Sequence, residues 1–263
     1  MEKTELFVVK IGGNVIDNQQ ALDEFLTDFS KIKQRKILVH GGGKIATEVA
    51  EKLGFKALMV EGRRITDENM LNVVTMVYGG LINKKIVAKL QSLQCKALGL
   101  TGADAGIIQS QKRPVNDIDY GYVGDIIHIE KTILNFFLDA DLTPVLAPLT
   151  YDIYGNILNT NADTIASEVA VHMAIYYNVN LLYCFELNGV LEKMEEPNSV
   201  IPLITFQNFD TLKKNGIISK GMIPKIENAL KAIQKGVNKV HICHAKHVIP
   251  ISNHHNVGTI IQA

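Results

Sequence analysis

Residues 7–16 read FVVKIGGNVI, an apolar run that reaches a lysine, passes into two glycines and only then turns polar. A buried strand needs neither the charge nor the glycines, and glycine in a strand interior weakens it. An anion held at a strand end needs both: the ammonium for charge, and glycines so that backbone N–H groups can approach it closely. Two further glycine turns follow strand-like runs, HGGGK at 40–44 and GLTGADAG at 99–106. HGGGK also opens onto a helical pattern, whose N-terminus favours negative charge. A tight βα connection explains any one of these turns. Three at strand ends point to an α/β protein with an anion site.

Between the turns, short β-rich runs alternate with helical patterns, as in βαβ units around a mainly parallel sheet. LFVVKI (6–11), KILVH (36–40), ALMV (57–60), CKALGL (95–100), TPVLAPL (143–149) and NLLYCFEL (180–187) read as strands. Leu22, Phe25, Leu26, Phe29 and Ile32 form one helical stripe, with Asp17 or Asn18 as its N-cap. A second helix follows HGGGK and ends at Gly54, and a long one opens at Asp67 and runs to 92, interrupted at Gly79 and Gly80. From about 106 to 160 the runs GIIQSQKRP, GYVGDIIHI and TYDIYGNIL predict antiparallel strands, the last a hairpin around Tyr154-Gly155-Asn156. Further helices are predicted from 162 and over about 224–235, then a closing strand pair. No repeat or linker interrupts the chain; a soft boundary near 178 divides residues 1–177 from 178–263, with the sheet continuing through both.

The 263 residues are enough for one large α/β domain or two lobes. Lys plus Arg equals Asp plus Glu at 27 each, which speaks against a nucleic-acid surface or a polybasic membrane patch. Phosphate binding must therefore come from local arrangement. Cys95, Cys184 and Cys243 are odd in number, far apart and set in apolar runs, as expected of buried thiols in a reducing cytoplasm. No apolar run approaches the roughly 18 residues of a membrane span.

The glycine turns can be tested against known phosphate motifs. Lys44 is followed by Ile45 and lacks the leading glycine of a Walker A loop. Gly41, Gly43 and Ala46 do fit a dinucleotide fingerprint, with Glu61 near the expected acidic position, but that reading leaves Lys10 and its glycines unexplained. Lys225 stands just after Pro224 at a helix start, where a cation opposes the macrodipole. Each lysine alone reads as a snorkelling or solvated charge; together they suit phosphoryl transfer, in which positioning and charge stabilisation supply nearly all the catalysis. Asn159, Asn161 and Asp163 surround a helix start in LNTNADTIA, where capping by Asn161 or Asp163 competes with a role for Asp163 between the two lysines. Arg63 and Arg64 in EGRRIT offer a guanidinium for a carboxylate, one of them being a surface charge. HICHAKH and NHH match no zinc spacing, and no nucleophile–base pair for acyl transfer is present.

In this order, KIGGNVI, HGGGK, EGRRIT, LNTNADTIA and GIISKGMIPK resemble the amino acid kinase family over nearly the whole chain, most closely its members acting on N-acetyl-L-glutamate. The resemblance implies a three-layer αβα sandwich with an open sheet, an N-lobe (1–177) for the acylated amino acid and dimerisation, and a C-lobe (178–263) for ATP with Mg2+ held mainly by the phosphates. It implies transfer of the γ-phosphoryl group to the substrate's side-chain carboxylate, in cytoplasmic arginine biosynthesis. Lys10 and Lys225 would stabilise the transferring group, Asp163 would organise both, and backbone N–H groups of Gly13 and Gly43 would hold the phosphoryl oxygens. Gly42, Gly43, Arg64 and Asn159 would bind the acylated glutamate; Gly12, Glu186, Asn188, Gly189, Lys220, Gly221, Met222 and Lys225 would contact the nucleotide. Three departures stand out: Glu186 where the family usually has aspartate, Ala103 where lysine is frequent, and the aromatic Tyr120 and Tyr122. The last two leave room for a larger acyl group such as succinyl, and a non-catalytic nucleotide-binding sensor on the same fold is the other alternative, against which the retention of Lys10, Asp163 and Lys225 speaks. With its first catalytic lysine at residue 10, the chain has no place for the N-terminal helix of the family's arginine-sensitive hexamers. The expectation is a homodimer insensitive to arginine, joined through the 67–92 helix.

Overall fold

A computed structural model describes residues 3–60, 63–193, 195–218 and 222–263. The chain opens with β1 (Glu5–Ile11), a short α1 (Gly13–Asp17), α2 (Gln19–Ser30), β2 (Arg35–His40) and α3 (Gly43–Lys52). Then come β3 (Met59–Val60), β4 (Arg63–Arg64), α4 (Glu68–Val74), a π-helical segment (Thr75–Ile82), α5 (Asn83–Ser92) and β5 (Ala97–Leu100). The middle carries β6 (Ile108–Lys112), β7 (Gly124–Ile129), α6 (Lys131–Asp139), β8 (Thr143–Leu146), β9 (Leu149–Tyr151), β10 (Ile157–Asn159) and α7 (Ala162–Met173). Last are β11 (Asn178–Phe185), β12 (Leu203–Ile204), α8 (Phe206–Lys214), α9 (Ile223–Gln234), β13 (Lys239–His244), α10 (Val248–Ser252) and β14 (Thr259–Ile261).

Eight strands form one mainly parallel sheet in the order β12-β14-β13-β11-β1-β2-β8-β5; only the β13–β14 pairing is antiparallel among its described pairs. Its strands are apolar on both faces, as parallel strands covered on both sides must be. Leu6, Phe7, Val8, Val9 and Ile11 of β1 are each at most 1% exposed, and burying a side chain of that size stabilises by roughly 1.5–3 kcal/mol. The strands of the middle region make a separate four-stranded sheet, β10-β9-β6-β7, antiparallel as expected at β10–β9 and β6–β7 but parallel where β9 meets β6. Asp152 closes its 151–157 hairpin by accepting from the Tyr154 and Asn156 backbone N–H groups.

By packing, the chain forms two compact units, Met1–Ile37 with Ala166–Ala263, and Leu38–Ile165. The first 37 residues thus pack with the C-terminal part, whereas the boundary read from sequence keeps them with the N-terminal part. ALMV gives only the two residues of β3, which pair with β4 outside the main sheet. Leu58 and Met59 are about half exposed, at 47% and 53%, so this run has no core face. The long helix is not interrupted at Gly79 and Gly80. It runs unbroken through the π segment, where a Cβ at Gly79 would lie at ordinary contact distance from Leu149 and Thr101. No helix among the described residues is long and apolar enough to cross a membrane.

Candidate active site

In the second unit, β2 delivers the chain to Gly41–Gly43 and α3 leaves from it. Gly42 has φ +141°, and a Cβ there would lie 2.2 Å from Ile82 Cδ1, so no other residue fits this turn. Arg64, 8% exposed, reaches back from β4 to the same turn: Nη2 donates to Gly43 O (2.7 Å) and Thr47 Oγ1 (2.8 Å). Nη1 touches Met70 Sδ at 3.7 Å. Arg63 is exposed. A desolvated guanidinium beside the N-terminus of a ten-residue helix suits a carboxylate.

Asn159 ends β10, its backbone N–H donating to Tyr122 O (2.9 Å) and its Nδ2 to Thr66 Oγ1 (3.0 Å). The buried Thr66 hydroxyl in turn donates to Arg64 O (3.2 Å), so one side chain links Asn159 to the arginine strand. Asn161 Oδ1 caps α7 by accepting from Thr164 N–H (3.0 Å). The half-buried Asp163, in the first turn of α7, is therefore not the cap.

Beneath the glycine turn, fully buried His40 bonds through Nδ1 to Gly41 O (2.8 Å) and through Nε2 to Asn83 Nδ2 (3.2 Å), which also donates to Val145 O (2.9 Å). Since a carbonyl only accepts, Nδ1 carries the proton and Nε2 accepts from the amide. Burial pushes His40 down to about 4, against the pull of its Gly41 bond and with a further push from Lys84. Burial, then Lys239, pushes His241 down to about 4 as well. Both folded values lie below the unfolded value of about 6.5, so between these limits the unfolded chain binds more protons. Each histidine's contribution is complete above about pH 6.5 and disappears as pH falls to about 4, a loss on the order of 3 kcal/mol per site. The urea midpoint is expected to fall steeply between pH 6.5 and 4; equal midpoints at both ends would contradict neutral buried imidazoles.

In the first unit, β1 brings Lys10 to the sheet's end at 8% exposure. The backbone turns at Gly12, whose N–H donates to Cys184 O (3.3 Å), and Gly13 starts α1. Lys225 stands in the first turn of α9, behind Pro224 and the N-cap Met222. Both lysines point at one ring: Lys10 Nζ lies 5.4 Å and Lys225 Nζ 3.9 Å from the Phe185 centroid. Glu186 is exposed on the next residue, and Asn188 Nδ2 donates to Pro197 O (3.4 Å). Gly189 is required by packing, since a Cβ would lie 2.7 Å from both Thr259 Oγ1 and Val200 Cγ1. Lys220 and Gly221, expected at the nucleotide, and Glu61, of the dinucleotide fingerprint, lie outside the described residues.

A cavity of about 520 Å³ in this unit borders Phe185 and Glu186, but Asp23, Glu24 and Asp28 also line it. Four carboxylates against Lys246 and His244 make it a poor host for polyphosphate. Among the described residues, no three His, Cys, Asp or Glu side chains gather as a metal site.

The structure thus gathers Lys10, Gly12 and Lys225 in one unit, and Gly42, Gly43, Arg64 and Asn159 in the other. Sequence reasoning missed Phe185, Thr66 and the His40–Asn83 pair, none of which carries a local motif.

Residues 5–244 match the amino acid kinase family. The acetylglutamate kinase of Cytophaga hutchinsonii is 54% identical over 261 residues, covering 98% of this chain and 99% of that protein. The acetylglutamate kinase of Bacteroides fragilis (strain NCTC 9343) is 50% identical over 240 residues, covering 91% and 92%. Among solved structures, that of smu.665 from Streptococcus mutans UA159 superposes with a TM-score of 0.77 at 29% identity, over 98% of each chain.

Proposed function

The chain belongs to the amino acid kinase family, and we infer that it transfers the γ-phosphoryl group of ATP to the side-chain carboxylate of N-acetyl-L-glutamate, a step in arginine biosynthesis. Within the geometry, the observation that carries this reading is the pair of lysine ammonium groups gathered at Phe185 beside a strand that leads directly into two glycines.

The nucleophile is a carboxylate already ionised at neutral pH, since an unperturbed glutamate titrates near 4.3. One carboxylate oxygen forms a bond to the γ-phosphorus as the bond to the ADP oxygen breaks, giving an acyl phosphate and ADP. No proton has to be removed, so the task left to the protein is positioning and charge. Lys10 and Lys225 are the cations for the transferring group and the departing phosphate, with the Gly13 N–H as a donor in the same unit. Arg64 takes the α-carboxylate, and Gly42, Gly43 and Asn159 complete the grip on the acylated amino acid. Gly43 also donates its N–H to the phosphoryl group, and Asp163 is the acidic member of the catalytic set. Gly12, Glu186, Asn188, Gly189, Lys220, Gly221 and Met222 are assigned to the nucleotide, with residues 178–263 as the ATP lobe and 1–177 as the lobe for the acyl amino acid and dimerisation. Mg2+ is proposed to enter with ATP and to be held mainly by its phosphates. It supplies charge neutralisation at the phosphates.

The aromatic pair that left room for a larger acyl group has structural partners. Lys112 Nζ lies 4.9 Å from the Tyr122 ring and the Arg113 guanidinium 5.5 Å from the Tyr120 ring. The acyl group is acetyl. The test is ATP-dependent formation of acyl phosphate, trapped with hydroxylamine. Turnover is expected with N-acetyl-L-glutamate and none with free L-glutamate; ATP binding without turnover would overturn the reading.

The enzyme is proposed to be a cytoplasmic homodimer. Met76 and Leu81 on the π segment are 55% and 41% exposed, apolar surface on the helix expected to join two copies. Sedimentation should give a dimer that Met76→Asp with Leu81→Asp converts to monomer; a wild-type monomer would refute it.

A further inference from the structure

Phe185 has neither charge nor hydrogen-bonding group, yet both lysines meet on it. It ends β11 and is half-buried, between the wholly buried Cys184 and the exposed Glu186. Three elements converge there. β1 runs parallel to β11 with Lys10 opposite Tyr183 and Ile11 opposite Cys184, so Lys10 is set beside the ring by strand register. The Gly12 N–H bond to Cys184 O then fixes the backbone turn. α9 brings Lys225 in from its first turn, 3.9 Å from the ring centroid. A Cβ at Gly12 would sit 3.5 Å from Phe185 Cδ1 and 3.8 Å from Lys10 Nζ, which places this glycine against both the ring and the ammonium.

Two ammonium groups at one ring repel each other, and Lys225 also opposes the dipole of its own helix. The negative face of an aromatic ring attracts a cation without carrying net charge. A ring can therefore help to gather two lysines while adding no negative charge of its own.

We propose that Phe185 is a positioning residue for phosphoryl transfer, its ring the shared platform on which Lys10 and Lys225 are held ready for the γ-phosphate. The proposal rests on the kinase reading above and adds to it a residue that touches neither substrate nor reacting atoms.

Phe185→Leu keeps most of the volume and removes the ring electrons; Phe185→Tyr keeps the face; Phe185→Met is a second ring-free variant should leucine not fold. The leucine or methionine variant is expected to lower kcat about tenfold, about the loss of one favourable interaction, with KM for N-acetyl-L-glutamate within about twofold of wild type. Tyrosine should keep kcat within about twofold. A second readout does not depend on turnover. Reductive methylation with 13C-formaldehyde keeps lysines charged, and a methylated ammonium over a ring face resonates upfield. Lys36, Lys112 and Lys213 also lie over rings, so the diagnostic signals are the two removed one at a time by Lys10→Met and Lys225→Met, and both of these should shift back in Phe185→Leu. Unchanged kcat in the ring-free variants, or lysine signals that ignore Phe185, overturns the platform while the kinase reading stands. Wild-type protein that shows the shifted signals but phosphorylates no N-acetyl-L-glutamate overturns the kinase reading, and the catalytic role of Phe185 with it.

Discussion

Lys10→Met is expected to lower kcat by about a thousandfold while leaving KM for N-acetyl-L-glutamate within a few-fold of wild type. The reaction moves an anionic phosphoryl group from one oxygen to another, and a preorganised cation aimed at developing charge is worth roughly two to three orders of magnitude in rate. Lys10 meets the requirements for that role. It is 8% exposed, so solvent screens it little, and the register of β1 against β11 sets its position. Methionine fills the same space without charge, so a loss of rate cannot be assigned to a cavity. The N-acetylglutamate contacts assigned above belong to the second unit, which is why KM should hardly move. Single-turnover formation of hydroxylamine-trapped product, with circular dichroism to confirm the fold, makes the measurement. A kcat within tenfold of wild type would remove Lys10 from the chemistry.

Much of this arrangement is legible in sequence because it depends on local rules. Strand and helix periods place β1, β2, α2 and α3, and a glycine triplet after a strand announces a turn that other residues cannot make. Gly42, with its positive φ and Ile82 against its missing side chain, shows why. What could not be read depends on residues distant in sequence. Neither Lys10 nor Lys225 hints at a common aromatic partner, and Phe185 itself reads as the apolar end of a core strand. Thr66 looks like one more β-branched residue in a short strand. Its hydroxyl has one proton; given to Arg64 O, it leaves only an acceptor for Asn159, and that fixes which end of the amide faces Thr66. The His40–Asn83 pair was hidden for the same reason, since its geometry depends on α5 lying against β8. The π segment failed sequence reasoning differently: glycines that usually end a helix here lie inside one, within its π turn.

The same contrast between local motif and distant contact bears on Arg64, where replacement should act on binding. Arg64→Gln is expected to raise KM for N-acetyl-L-glutamate about a hundredfold, since charged hydrogen bonds each contribute roughly 1.5–3 kcal/mol and 1.4 kcal/mol is a factor of ten. KM for ATP should stay near wild type. Nη2 is already committed to Gly43 O and Thr47 Oγ1, which leaves the Nη1 hydrogens to meet the substrate's α-carboxylate. The Nη1 contact to Met70 sulfur is weak at 3.7 Å and easily given up. Glutamine has neither the charge nor the reach to serve both sides. Lysine has the charge but only one nitrogen, so it can hold the glycine turn or the carboxylate, not both in the plane a guanidinium offers. Arg64→Lys should therefore recover less than about tenfold of the loss. Full recovery by lysine would mean that Arg64 acts as a point charge, and an unchanged KM in both variants would place the α-carboxylate elsewhere.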